Sequence, residues 1–276
     1  MKIQEFDSVV GDYTLRPMKA EDWGRFREME KTAFEEKDLM REDHFHNMLD
    51  TDGFIALETG DLLIGYFRVF RFGSEEGHLG RIAVAGSHQR QGWGKILMEQ
   101  VIDWFKNQEG IKTVHLYTQD YNVASQSLYR LYGFEVSGKT WSYVIPFAGI
   151  EPKGGFVCQT VEDDDIDVVA EMFPSLPSAQ IRKFLEDDRQ DVITLKDGNR
   201  NIVGAARFTP SFPGCFPFEI TAIEGFDDFI AGIQEMTPPE FDRMRCTFTD
   251  NDELAKVCEE RGYELHHRLY KMSCNL

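Results

Sequence analysis

The chain has 276 residues, 42% of them hydrophobic, enough to pack one large or two ordinary domains. Its formal charge of -18 argues against a nucleic-acid partner, because gripping phosphates takes a basic surface that releases counter-ions. The opening residues, MKIQEFDSVVGDYTL, lack the basic start and apolar run of a leader, and nowhere do about 18 apolar residues run together. The expectation is a cytoplasmic protein with no membrane partner.

In chain order the hydrophobic pattern predicts a strand at 13–17, a helix from 20 to about 36 and a second helical piece at 39–49. A hairpin follows, with strands at 53–59 and 62–71, then a strand at 78–84, a helix at 92–107, a strand at 112–118, a helix at 122–132 and strands to about 145. The stretch VIPFAGIEPKGGF (144–156) carries two prolines and three glycines and reads as a linker, so a boundary near residue 148 divides the chain into 1–148 and 149–276.

The two halves echo each other. LRPMKAEDWGRFREM from Leu15 corresponds to CQTVEDDDIDVVAEM from Cys158, and LETGDLLIGYFRV from Leu57 to LKDGNRNIVGAARF from Leu195. NVASQSLYRLYGFEV from Asn122 corresponds to NDELAKVCEERGYEL from Asn251. In this last pair Asn122 and Asn251, like Gly133 and Gly262, stand 129 positions apart, and the constant offset points to duplication.

Charge is shared unevenly, net -6 in residues 1–148 and -12 in 149–276, so an anionic cofactor belongs in the first half. There the strand LGRIAV leads into QRQGWGK, which opens a helix. Free backbone N–H groups at such a helix start, with Gly92 and Gly94 lacking a Cβ and with Arg90 and Lys95 adding charge, suit a bulky phosphate. The GxGxxG and GxxxxGK[ST] spacings of dinucleotide and P-loop sites are both absent.

The spacing Gln89-x-x-Gly92-x-Gly94, with Val84 five residues ahead and NVASQSLYRLYGFE downstream, resembles the GCN5-related N-acetyltransferase (GNAT) superfamily over about residues 10–146. The resemblance implies an α/β (α+β) fold of two tandem acyl-CoA N-acyltransferase-like domains, each a mixed, mainly antiparallel sheet flanked by helices. It implies that acetyl-CoA is the cosubstrate, its pyrophosphate on the amides of Gln91, Gly92, Trp93, Gly94 and Lys95, its pantetheine arm along the main chain of Ile82 and Val84. The second half reads EITAIEGFDDFIAGI at the place of the loop, putting Glu224, Asp227 and Asp228 where phosphates would sit, so it is expected to be degenerate.

Transferring an acetyl group from a thioester to an amine needs a proton acceptor for the amine and a donor for the leaving thiolate. Asn122 and Tyr129 stand about two helical turns apart and so share a face. Tyr129, with an ordinary pKa near 10, is the first choice for general acid, and Tyr132 is its rival. Strand alternation puts His78, Gly80, Ile82 and Val84 on one face. His78, at a position where family members carry a glutamate, is the candidate base, with Glu75, Glu76 or a water relay as alternatives.

The five cysteines (158, 215, 246, 258 and 274) form no CxxC pair, His44 and His46 find no third ligand, and the adjacent His266 and His267 would point apart in a strand, so no metal is expected. The leading reading is an N-acetyltransferase acting on a primary amine. The alternative is an acyl-CoA-binding regulatory or scaffolding module without turnover. Acids such as Glu35, Glu36, Asp38, Asp43 and Asp120 favour a cationic acceptor.

Overall fold

The computed structural model describes residues 12–49 and 53–276, so the leader-free reading of the first eleven residues lies outside it. No helix among the described residues is long and apolar enough to cross a membrane. The chain forms two compact units, each a mainly antiparallel sheet with helices on its faces. Of the described residues, the first holds those up to 118, Asn122–Glu135 and Met272–Leu276; the second holds Gln119–Tyr121 and Val136–Lys271.

In the first unit β1 (Thr14–Pro17), β2 (Phe54–Thr59), β3 (Leu62–Phe72) and β4 (Glu76–Val84) run antiparallel in that order, and β5 (Thr113–Gln119) joins parallel to β4. Helices α1 (Trp23–Ala33) and α2 (Glu42–Leu49) cover one face, where Phe26, Phe45, Phe54 and Tyr66 pack ring against ring at 4.8–5.8 Å. Burying such aromatic rings stabilises by roughly 2–3 kcal/mol each, and this cluster anchors the face. Helix α3 (Trp93–Lys106) lies on the other face, so close that a Cβ on Gly77 would sit 2.4 Å from the Phe105 ring. These elements follow the periodicity of the sequence to within a few residues.

A bulge interrupts β4. Arg68 faces Arg81 and Val69 faces Leu79, which leaves Gly80 without a partner on β3. The extra residue shifts the phase of the strand. His78 pairs with Phe70 on the α1 face, whereas Ile82 pairs with Phe67 on the α3 face. His78 therefore does not share a face with Ile82 and Val84, as uninterrupted alternation required. Pairing of β4 with β5 also ends at Leu79 and Leu116, so the sheet opens beyond that point.

The second unit repeats the plan with β7 (Val157–Thr160), β8 (Asp191–Lys196), β9 (Ile202–Thr209), β10 (Gly214–Ile220) and β11 (Arg243–Thr249). Helices α5 (Ile166–Met172), α6 (Ser178–Leu185) and α7 (Phe226–Met236) flank it. A register shift between Cys215 and Phe218 matches the one at Gly80.

The division differs from the boundary drawn near residue 148. Strand β6 (Glu135–Pro146) follows α4 (Val123–Leu131) in sequence, yet its second half pairs with β11, from Arg243↔Pro146 to Thr249↔Thr140. Conversely, the end of β12 (Glu264–Asn275), which follows α8 (Asp252–Glu260), lies beside β5. There Leu276 N–H donates to the Lys112 carbonyl at 2.9 Å, and His115 meets Ser273 at 2.7 Å. The first unit thus includes the last residues of the chain, Met272–Leu276, and the second includes nearly all of β6.

The repeat at Asn122 and Asn251 has a local cause. Each side chain caps a helix, Asn122 accepting from Ser125 N–H and Asn251 from Leu254 N–H. Gly133 and Gly262, both at positive φ, close those helices at the other end. Because Asn122 is a cap with ψ 70, it lies outside the helix and the two-turn argument linking it to Tyr129 does not hold. Asn122→Ala and Asn251→Ala should each lower stability by about 1 kcal/mol in chemical denaturation, and a loss under a few tenths would remove the capping role.

Candidate active site

The site is built where β4 passes into α3. Ala85 N–H bonds the Ile64 carbonyl, so in the antiparallel alternation the main-chain groups of Ile82 and Val84 point away from β3, toward the side β5 has left. The Gln89 side-chain amide donates to the Val84 carbonyl at 3.0 Å and ties the following loop to this edge. Gln91 in turn holds the Ser87 carbonyl at 2.9 Å. Both glutamine side chains shape the loop from within.

Gly92 caps α3 in the left-handed region, φ 94, and Arg90 precedes it at φ 59. The amides of Gln91, Gly92, Trp93 and Gly94 meet no acceptor among the described residues; that of Lys95 turns back to the Gly92 carbonyl at 2.9 Å. The helix start thus offers unspent N–H groups, with Arg90 and Lys95 exposed beside it. Trp93 is buried edge-on to Tyr13, and its indole N–H has no acceptor among the described residues. A Cβ on Gly94 would meet Leu128 of α4 at 3.2 Å, so this glycine also sets the spacing of two helices.

Tyr129 is buried on α4, its ring edge-on to Phe134. Burial lifts its pKa from the ordinary value near 10 to about 12, opposed in part by a hydrogen bond with Ser125. The rival Tyr132 is engaged elsewhere, its hydroxyl donating to the Lys95 carbonyl at 3.0 Å and to Glu99 at 3.3 Å.

On the opposite face His78 is half-buried between Phe70, at 4.9 Å between ring centroids, and Tyr117, at 5.6 Å. The alternative bases have other neighbours, since Glu75 pairs with Lys112 and Glu76 lies 3.5 Å from His115. His266 and His267 stack at 3.9 Å, where strand alternation would part them.

The second unit answers the loop differently. Asp227 and Asp228 occupy the first turn of α7. Asp227 grips Arg261 through both oxygens, and Asp228 accepts from Gly154 N–H at 2.9 Å. The protein's own carboxylates sit in the turn where the first unit keeps its amides open.

The sequence missed a buried network beneath β4. Arg81 donates to Glu30 at 2.8 Å, to the Tyr66 hydroxyl at 2.7 Å and to the Asp38 carbonyl at 2.6 Å, while Glu30 also accepts from Met40 N–H. These bonds pin the segment between α1 and α2 against the face that carries His78. No local motif could have shown it, since its members come from α1, β3, β4 and the segment between α1 and α2.

With the geometry in place, residues 17–134 match the model of the Acetyltransferase (GNAT) family. A comparison with curated proteins finds no match. Among solved structures, the fold is similar to a GCN5-related N-acetyltransferase from Sphaerobacter thermophilus, with TM-score 0.71, 13% identity, and 95% of each chain covered. It is also similar to a putative acetyltransferase from Pyrococcus horikoshii (TM-score 0.72, 12% identity, 99% of this chain and 93% of that one). A tandem GNAT protein from the clavulanic acid biosynthesis pathway aligns at TM-score 0.68 and 11% identity, over 96% of this chain and 98% of that one.

Residues 17–134 are therefore similar to the GNAT acetyltransferase family, and the fold resembles that of a tandem GNAT protein along nearly the whole chain. The general chemistry of that family is acyl-CoA-dependent N-acetylation.

Gly92→Glu would put bulk and negative charge on the open amides. It should abolish CoA binding in calorimetry, and wild-type affinity would discredit the loop as the phosphate site.

Proposed function

We propose that the protein is an N-acetyltransferase that takes acetyl-CoA in its first unit and transfers the acetyl group to a primary amine. The observation that carries this reading is the pairing of two open features, the free edge of β4 beyond the bulge and the unspent amides at the start of α3. A pantetheine arm can add to the edge as a short strand would, and a pyrophosphate fits the amides. Gln89 holds the two at a fixed distance.

The residues then divide the proton work across the sheet. His78, on the α1 face, accepts a proton from the incoming amine. Tyr129 serves the leaving sulfur. With its pKa near 12 against about 8.5 for a thiol, outright proton loss to a free thiolate would run uphill by roughly 5 kcal/mol, so Tyr129 acts as a hydrogen-bond donor that keeps its proton. Asn122 supports this site only by fixing the start of α4.

The second unit, with Asp227 and Asp228 closing the equivalent helix start, holds no CoA in this scheme. Of the five acids named for a cationic acceptor, three carry counter-ions: Glu35 pairs with Lys37, Asp43 with Arg41 and Asp120 with Arg268.

Release of free CoA thiol across a panel of amines tests the activity, and CoA binding with no release from any amine would favour a module without turnover. Tyr129→Phe should keep CoA affinity within a few-fold and lower turnover roughly 10²-fold, the usual scale for losing one hydrogen-bond donor to developing negative charge. Because its pKa is raised, the hydroxyl is retained at high pH, so turnover should show no loss with a midpoint near pH 10 attributable to Tyr129. A wild-type limb near pH 10 that Tyr129→Phe abolishes would contradict the assignment.

A further inference from the structure

The face that carries His78 also carries two arginines, and only one of them has its charge met. Arg81 is neutralised by Glu30. Arg68, its partner across the bulge, forms no ion pair among the described residues; its Nη1 donates to the Val69 carbonyl at 3.1 Å and its buried Nε has no acceptor. Burial disfavours its charged form, and no carboxylate offsets this. His44, on α2, has its protonation opposed by burial and by the nearby Arg81 and Arg68, while the adjacent Asp43 favours it. A half-buried positive charge without a counter-ion is costly unless an anion completes it.

The position of this charge is informative. The Arg68 guanidinium lies 4.8 Å from the centre of the Phe70 ring, and the His78 ring lies 4.9 Å from the same ring. Phe70 is itself seated over Gly80, where a Cβ would come within 2.9 Å of it. The uncompensated cation and the imidazole therefore flank one aromatic ring at the bulge, within about 10 Å of each other. That span suits a small molecule with an amine at one end and an anion at the other.

We propose that the acceptor is an amine that also bears a carboxylate, an amino acid in the broad sense, and that Arg68 binds the carboxylate while the amine lies toward His78. The proposal rests on the acetyltransferase reading of the same site and narrows its substrate. It replaces the cationic acceptor suggested by the surface acids with a zwitterionic one. The guanidinium offers its free Nη2, and a charge-assisted bond there rejects analogues that lack the anion.

The test compares α- and ω-amino acids of two to six carbons with the amines of equal length that lack the carboxylate, lysine against 1,5-diaminopentane among them. CoA-thiol release is the readout. The best carboxylated amine should exceed its decarboxylated counterpart by roughly 10²-fold in kcat/KM, since a site built to bond a polar group discriminates strongly against its absence. Arg68→Gln should bring that ratio to within a few-fold, chiefly through KM, and Arg68→Lys should restore part of it, with both variants unfolding near the wild-type temperature. Decarboxylated amines turned over as well or better, or a ratio that survives Arg68→Gln, would overturn the proposal. Calorimetric titration of the same amines into the CoA complex separates this from failure of the acetyltransferase reading. Carboxylate-dependent binding lost in Arg68→Gln supports the site even where no turnover occurs, and equal or absent binding of both amine classes refutes it.

Discussion

A single unpaired residue, Gly80, sets the terms for the rest of the first unit. The bulge there ends the pairing of β4 with β5 at Leu79, and the main chain of Ile82 and Val84 is left facing no strand. It also moves His78 to the α1 face while Ile82 and Val84 remain on the α3 face. A continuous ladder would have satisfied more backbone groups, but it would have covered the edge of β4 beyond Leu79. Glycine is suited to the position, because Phe70 fills the space a side chain would take.

The second unit shows which features belong to the fold and which to the site. The register shift recurs between Cys215 and Phe218, and the asparagine caps and positive-φ glycines recur at Asn251 and Gly262. The open helix start does not recur. Asp227 and Asp228 fill the first turn of α7 with carboxylates that hold Arg261 and the backbone of Gly154, which stabilises the helix end from inside the protein. A repeated scaffold can thus keep its register shift as architecture while the helix start that would bind phosphate carries acids instead.

Much of this was legible in the sequence. The elements of the first half fall within a few residues of the periodicity, and the glycines of QRQGWGK mark the helix start whose amides stay free. Regular alternation along β4 misplaces His78, though a glycine inside a strand pattern is the usual mark of a bulge. Asn122 was a cap because an asparagine precedes an amphipathic helix, a signal that its repetition at Asn251 strengthens. The raised pKa of Tyr129 depends on burial, which helical spacing does not report. The pairing of β6 with β11 and the uncompensated Arg68 could not be read at all, since both depend on partners distant in sequence.

The account turns on acetyl-CoA lying along the opened edge of β4 and over the start of α3. Amide hydrogen exchange of the full chain with and without CoA tests this residue by residue. The account predicts slowed exchange at Ile82 and Val84 and across Gln91–Lys95, with none at Ala222–Asp228; protection at that second segment, or CoA binding that leaves the first unprotected, would contradict it.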